Sequence, residues 1–388
     1  MKHERITKRF ISLLEKDEKL KRLVEKDLEL AKKNNPDKRT NPAQSLEELY
    51  DFLDWSVKCM PWEILPNKKY EALYTSMDQM TGYFWFIFDQ PLEELQGKGF
   101  YYPTLQYLEP IASWIKDYSK TWGKFLSKRK SWNEKYYQLA LEDGKFGLKN
   151  GWYGDNNIWH TFNDFFSRKL IDEKQRPISA ANVIAPADST PMGFYKIGEN
   201  NKLKNDVNIK SANLNDIGEL IGKESQYCEA FKEGTLTHTF LDIYDYHRYH
   251  FPVSGKILEL RKINGANAGG GITVWDKKLE KYVYYNEMGF QMIETRSCVI
   301  LKTENFGLVA VLPVGMSQIC SVNFEKRLKV GDFVQKGDPM GYFQFGGSDI
   351  VMIFQKGVEV EDLTSKDGDG KLKHLLMGQP YANLKVKQ

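Results

Sequence analysis

One short stretch near the C-terminus carries the residue types most able to do chemistry on the chain itself. It is Gly341-Tyr-Phe-Gln-Phe-Gly-Gly-Ser-Asp-Ile-Val-Met-Ile-Phe354. Aromatic and β-branched residues favour strands, so Tyr342–Phe345 and Ile350–Phe354 read as two strands broken by Gly346-Gly347-Ser348. A hydroxyl directly after two residues without a Cβ is placed to attack its own preceding carbonyl. Gly347 adds no side chain there, and both glycines tolerate unusual φ/ψ. The same three residues also make an ordinary β-turn with a solvated serine. Taken alone, they leave both readings open.

Three further stretches bear on the choice. They are Phe162-Asn-Asp-Phe-Phe-Ser-Arg-Lys-Leu170 followed by Arg176-Pro-Ile178, then Ala185-Pro-Ala-Asp188, then Thr239-Phe-Leu-Asp-Ile-Tyr244 running into Asp245-Tyr-His-Arg-Tyr-His-Phe-Pro252. With the Gly-Gly-Ser element, and in this order, they resemble the phosphatidylserine decarboxylase family over about residues 160–388. That resemblance implies a self-made cofactor, a pyruvoyl group generated from Ser348 by cutting the chain between Gly347 and Ser348. It implies no pyridoxal phosphate and no metal. Two positions depart from the family pattern. Asp349 stands where the family usually has Thr or Ser, and Ser189 stands where it usually has Gly. A carboxylate at 349 disfavours the oxyanion formed as Ser348 attacks, so maturation slower than with Thr at this position is expected.

A serine nucleophile needs a base. Of the six histidines, His3, His160 and His374 lie outside these motifs, and His238 precedes an apolar strand and reads as core. His247 and His250 remain, three residues apart. A strand would send them to opposite faces, and a turn lets them converge. By the resemblance, His250 is the base toward Ser348, Asp188 orients it, and His247 faces the substrate and handles protons after carbon dioxide leaves, the logic of a serine triad on another fold. Maturation would run through an ester of Ser348 Oγ and the Gly347 carbonyl, elimination to dehydroalanine, and hydrolysis to the pyruvoyl group with loss of ammonia. The new ketone would form a Schiff base with the substrate amine. The two cleavage chains would stay together by strand pairing.

The elements that position these residues fall into two halves. The chain has 388 residues and a formal net charge of +3, enough for two domains and too little charge to argue for nucleic acid. Ile6–Lys33 has apolar residues at Ile6, Phe10, Leu13, Leu14, Leu20, Leu23, Val24, Leu28 and Ala31, close to a helical period. It reads as one amphipathic helix, docked on the core rather than lying on a membrane. Ser45-Leu-Glu-Glu48 is a capping box opening a helix to about Cys59. Tyr70–Phe88 continues in helical style, and Pro103–Lys128 reads as a helix pair. No catalytic constellation is visible before residue 150, although Thr121-Trp-Gly-Lys-Phe-Leu-Ser127 resembles a segment of the N-terminal domain of soluble fungal tryptophan decarboxylases of the same superfamily. Gly147–Asn157 is the expected boundary. Beyond Val183 the texture becomes short apolar runs between turns, which signals β structure. Within it, Tyr249–Ile257 and Val330–Gly341 resemble the strand–turn pattern of biotinyl and lipoyl domains. The expected fold class is α+β: a helical N-terminal domain, 1–150, and a β-rich decarboxylase core, 151–388, with barrel-sandwich-like strands. Gly265-Ala-Asn-Ala-Gly-Gly-Gly271 lacks the ending of a phosphate loop and reads as a mobile loop or a plain turn.

Cys59, Cys228, Cys298 and Cys320 are far apart and give neither a zinc pattern nor a disulfide framework. Met1–Lys33 has no signal-peptide pattern, and no apolar run reaches the ~18 residues of a membrane span. The expected location is therefore the cytoplasm, with peripheral membrane contact left open. The leading expectation is a carboxy-lyase converting phosphatidylserine to phosphatidylethanolamine. A soluble aromatic amino-acid decarboxylase is the alternative substrate class. A lipoyl/biotinyl-like carrier or a non-cleaving binding module is the alternative of another kind.

Overall fold

The computed structural model describes residues 3–65, 76–155, 158–204, 215–285, 288–318 and 321–387. The first half is helical. The expected helix over Ile6–Lys33 is two helices, α1 (Arg5–Lys16) and α2 (Glu18–Asn34). Asp17 separates them in an extended conformation, and its carboxylate accepts from the Leu20 N–H. A short acceptor at this position caps a new helix better than it continues an old one. Phe10, Leu14, Val24, Leu28 and Ala31 are buried, so both helices are docked on the core.

α3 (Leu46–Ser56) starts at Ser45, whose side chain accepts from the Glu48 N–H. α4 (Met77–Phe88) is buried at every position except Asp78, so it is a core helix rather than an amphipathic one. Residues 70–75 of the expected helix lie outside the described residues, as does Cys320. The expected helix pair over Pro103–Lys128 is instead a single turn at Leu105–Tyr107 followed by α5 (Ile111–Leu126). α6 (Glu134–Glu142) follows, and then α7 (Phe162–Phe166), which opens on a Thr161–Asp164 capping box. One apolar core takes in these helices together with Tyr244, Tyr246, Tyr282 and Phe345 from the second half.

The second half is strand-rich, giving an α+β protein. Its centre is a seven-stranded antiparallel sheet, in the order Phe333–Val334, Gly255–Ile263, Arg296–Lys302, Leu308–Met316, Gly347–Phe354, Thr235–Leu241, Thr190–Lys196. Apolar clusters cover both faces. Ile350, Met352 and Phe354 enter one cluster, and Val351 and Ile353 enter the other. This alternation is the period-two geometry of a strand buried on both sides. A second sheet sets Pro339–Phe343 between Arg248–His250 and Val322–Phe324, and a separate hairpin joins Ile272–Asp276 to Lys281–Tyr285. Among the described residues, no helix is long and apolar enough to cross a membrane.

Candidate active site

Ser348 lies inside the ladder rather than in a bend. Its strand begins at Gly347, and Ser348 pairs with Gly315 on one side and Leu241 on the other. The break falls one residue before the strand, at Gly346, whose φ of 145° is a conformation that suits glycine. Ser348 is fully buried, and its Oγ has no hydrogen-bond partner among the described residues. Alternation along the strand puts Ser348 on the face of Leu241 and Ile350, whose cluster also holds Tyr249 and Phe343.

The two candidate bases flank Tyr249, and both are buried. His247 Nδ1 donates to the Asp245 carbonyl at 2.9 Å, which leaves Nε2 as the lone-pair nitrogen, without a partner. Its ring lies 4.0 Å from that of Phe166. Burial, reinforced by the Arg168 charge, pulls its pKa down to about 3, so the ring is neutral. His250 Nδ1 donates to the Gly337 carbonyl at 2.8 Å, and the Tyr246 hydroxyl faces its Nε2 at 3.3 Å. Burial lowers its pKa as well.

Asp188 sits close by, on a segment held to His250 by the bond from the His250 N–H to the Pro186 carbonyl. Its carboxylate is taken by Arg176 in a two-pronged contact, 3.0 Å from Nε and 2.6 Å from Nη2, with a third bond from the Met377 N–H. The structure therefore brings Asp188, His250 and His247 into one region. It draws no direct hydrogen bond from Asp188 to His250 or from either histidine to Ser348 Oγ. Arg168, given no role from sequence, is buried beneath them and donates to the carbonyls of Tyr244 and Asp245, the turn that leads into His247.

Asp349 points to the opposite face. His238 Nδ1 donates to its carboxylate at 2.8 Å, and Gln291 lies 3.3 Å away. All three are buried. His238 and Gln291 hold Oδ2 while Oδ1 has no partner among the described residues, and the strand turns the carboxylate to the face away from the Ser348 side chain, so it repels an oxyanion there less than adjacency in sequence implies. His238 is a partner of the strand that carries Ser348, not a plain core residue. The signal for it was parity: His238 and Asp349 share a sheet face only once their strands are known to be neighbours.

A cavity of about 270 Å³ opens beside Gly347. Met316, Ser317 and Phe240 form its floor, and Trp85 with the carboxyl-bearing Asp78 and Asp242 form much of its wall. The indole N–H of Trp85, itself buried, has no acceptor among the described residues. Burial, with repulsion from Asp245 next, pushes the Asp242 carboxyl up to about 6. Sequence reading found no functional residue in the helical half, yet α4 supplies this wall.

The profile of the family described as Phosphatidylserine decarboxylase matches residues 162–383, more than half of the chain. The chain belongs to the phosphatidylserine decarboxylase family. Among its relatives, the phosphatidylserine decarboxylase proenzyme of Fusobacterium nucleatum is 29% identical over 237 residues, covering 58% of this chain and 70% of that protein. Proenzyme 2 of Clostridium acetobutylicum is 35% identical over 199 residues, covering 51% and 61%. The proenzyme of Clostridium botulinum strain Langeland is 28% identical over 282 residues, covering 70% and 86%. The family profile begins at α7, so the α4 wall of the cavity lies outside the profile.

Ser348 fits the family's pyruvoyl group. It is buried with an Oγ that has no partner among the described residues, it lies two residues after Gly346 at positive φ, and the Gly347 directly before it lines the cavity, which opens on the Asp349 face of the strand.

Proposed function

We propose that the protein is a pyruvoyl-dependent carboxy-lyase that cuts itself between Gly347 and Ser348 and then converts phosphatidylserine to phosphatidylethanolamine and carbon dioxide. The observation that carries this reading is the buried, unpartnered Ser348 Oγ behind Gly346 at positive φ. Other buried hydroxyls, Ser119 and Ser297 among them, also lack a partner; Ser348 is set apart by the Gly346-Gly347 pair directly before it.

In this reading His250 Nε2 leaves the Tyr246 hydroxyl and takes the Ser348 proton. Ser348 Oγ then bonds to the Gly347 carbonyl carbon. The bond to the Ser348 nitrogen breaks, and that nitrogen takes a proton. Loss of the Ser348 Cα proton expels the Gly347 carboxylate and leaves dehydroalanine, which gains water and releases ammonia. Asp188 holds Arg176 and, through the Pro186–His250 bond, the segment that carries the base. The ketone so formed supplies an electron sink for a substrate amine whose carboxylate departs. His247, neutral and with an Nε2 that has no partner among the described residues, holds or delivers a proton after carbon dioxide leaves. Intact mass spectrometry of purified protein tests the first step: the expected products are a chain ending at Gly347 and a short chain with a blocked N-terminus. A single uncut chain with unmodified Ser348 would falsify self-cleavage. Release of labelled carbon dioxide from phosphatidylserine tests the second step.

A second reading, a soluble aromatic amino acid as substrate, is favoured by the cavity itself. Its wall carries two carboxylates, Asp78 and Asp242, and the rings of Trp85, Phe240, Tyr284 and Tyr285, with no lysine or arginine among the described residues. Such a wall suits an ammonium group and a ring better than a phosphodiester. Turnover of tryptophan, tyrosine or phenylalanine with none of phosphatidylserine would decide for it.

At the level of architecture, we assign residues 1–150 to a helical domain and 151–388 to the catalytic domain, with a sandwiched-barrel core. The support for the barrel is that the two half-motifs pair with each other: His250 opposes Pro339, and Lys256 opposes Phe333.

A further inference from the structure

The hairpin Ile272–Asp276/Lys281–Tyr285 has two apolar faces where packing requires one. Its inner pairs are Thr273 with Tyr284 and Trp275 with Tyr282. They lie against α4. Tyr282 packs beside Tyr83 and Phe86, and the Tyr284 hydroxyl donates to the Asp78 carbonyl. A methyl group at Gly82 would come within 2.4 Å of that hydroxyl, so helix and hairpin touch closely.

The outer pairs are Ile272 with Tyr285 and Val274 with Val283. Ile272, Val274 and Val283 are partly exposed, Tyr285 is 54% exposed, and none of the four belongs to any apolar cluster of the described residues. A half-covered antiparallel pair ordinarily turns polar residues outward. At the tip, Leu279 is 55% exposed among exposed Lys277, Lys278 and Lys281, which outnumber the single exposed Glu280 beside them. These lysines form no ion pair among the described residues, and Asp276 is occupied in accepting the Lys278 and Leu279 N–H groups. At the other end, Ile272 and Tyr285 line the cavity beside Gly347, next to Met192, itself 42% exposed.

We propose that the outer face of this hairpin docks the protein on an anionic lipid bilayer. The proposal rests on the phospholipid reading of the site. Three features meet on one surface: an apolar strip that normal strand patterning does not explain, lysines at its far end, and continuity with the cavity. A bilayer satisfies all three. The apolar side chains enter the interface, the lysines meet anionic headgroups, and a headgroup reaches the cavity along Ile272 and Tyr285 while its tails stay in lipid. A water-soluble substrate needs none of them.

The test uses the full-length protein and two variants, Lys277→Glu/Lys278→Glu/Leu279→Asp at the tip and Val274→Thr/Val283→Thr on the strip. Wild type is expected to co-sediment with phosphatidylserine/phosphatidylcholine vesicles and not with phosphatidylcholine alone. The tip variant should partition at least about tenfold more weakly, and the strip variant more weakly than wild type. Both should turn over vesicular phosphatidylserine correspondingly slowly, while turning over a short-chain, monomeric phosphatidylserine as wild type does. Wild type that ignores anionic vesicles yet consumes the short-chain substrate overturns the proposal. So do variants that bind as wild type does. A dimer dispersed by either variant, without vesicle binding, gives the face to a second copy and overturns it too. Hairpin-dependent binding with no turnover of either phosphatidylserine supports the docking surface and overturns the substrate reading alone.

Discussion

Asp188 neutralises a guanidinium with no exposed surface, so its removal acts on the fold as well as on the chemistry. Breaking one partner of such a buried pair costs about 3–5 kcal/mol. Asp188→Ala should therefore lower the melting temperature and abolish cleavage together. His250→Ala should abolish cleavage with a far smaller loss of stability, and His247→Ala should still cleave but decarboxylate poorly. A denaturing gel, a thermal melt and an activity assay on each variant separate these effects. If His247→Ala blocks the cut while His250→Ala matures, the two roles are exchanged. Asp242 gives a pH prediction. Its carboxyl is raised from 3.8 to about 6, so the folded state favours the protonated form. The stability this provides is complete below about pH 4 and is lost as pH rises through 6. Asp242→Asn should thus be stabilised over wild type by about 1–3 kcal/mol at pH 7.5 and be no different at pH 4, as melts at both values would show. The residues proposed for the chemistry could be named from sequence because they sit in contiguous motifs. The His238–Asp349 bond was not, because it depends on which strands become neighbours.

Among the elements, the Gly265–Gly271 loop is not a plain turn but is tied along its length by side chains. Gln106 grips it with both ends of its amide: Oε1 accepts from the Gly269 N–H at 2.7 Å and Nε2 donates to the Gly271 carbonyl at 2.8 Å. Asp89 accepts from the Thr273 N–H at 2.8 Å, and Lys116 donates to the Gly265 carbonyl at 3.0 Å. Glu294 holds the Ala268 N–H from the other side. Because the loop edges the cavity, Gln106→Ala should raise KM more than it lowers kcat, cost about 1–3 kcal/mol, and speed amide exchange across 265–273. Unchanged exchange there would dismiss the strap. Helix faces and strand runs were readable from periodicity. This grip was not, since a buried glutamine inside a helical pattern carries no mark of its distant partner. The same limit explains the single helix expected over Ile6–Lys33. The apolar phase slips between Leu14 and Leu20, but only the capping bond of Asp17 shows that the slip is a break.

For the molecule as a whole, the two halves are joined through Phe345, three residues before Ser348. It packs in the helical core with Trp122, Phe162 and Phe166. Removing residues 1–150 should leave a fragment that is insoluble or stays uncut, because Phe345, Tyr244 and Tyr282 would lose the core that buries them. A soluble fragment that matures normally would show that the halves fold independently. The strand Gly347–Phe354 has a separate consequence. It lies between Leu308–Met316 and Thr235–Leu241, both on the other side of the proposed cut. Before the cut, refolding is unimolecular and its rate ignores concentration. Afterwards the same sheet must be rebuilt from two molecules, with the short one inserted between neighbours already inclined to pair with each other. Recovery of the matured protein from denaturant should therefore be second order and fade on dilution, whereas a Ser348→Ala chain recovers at any concentration. Maturation would thus exchange a reversible fold for one that persists only as long as it is never undone.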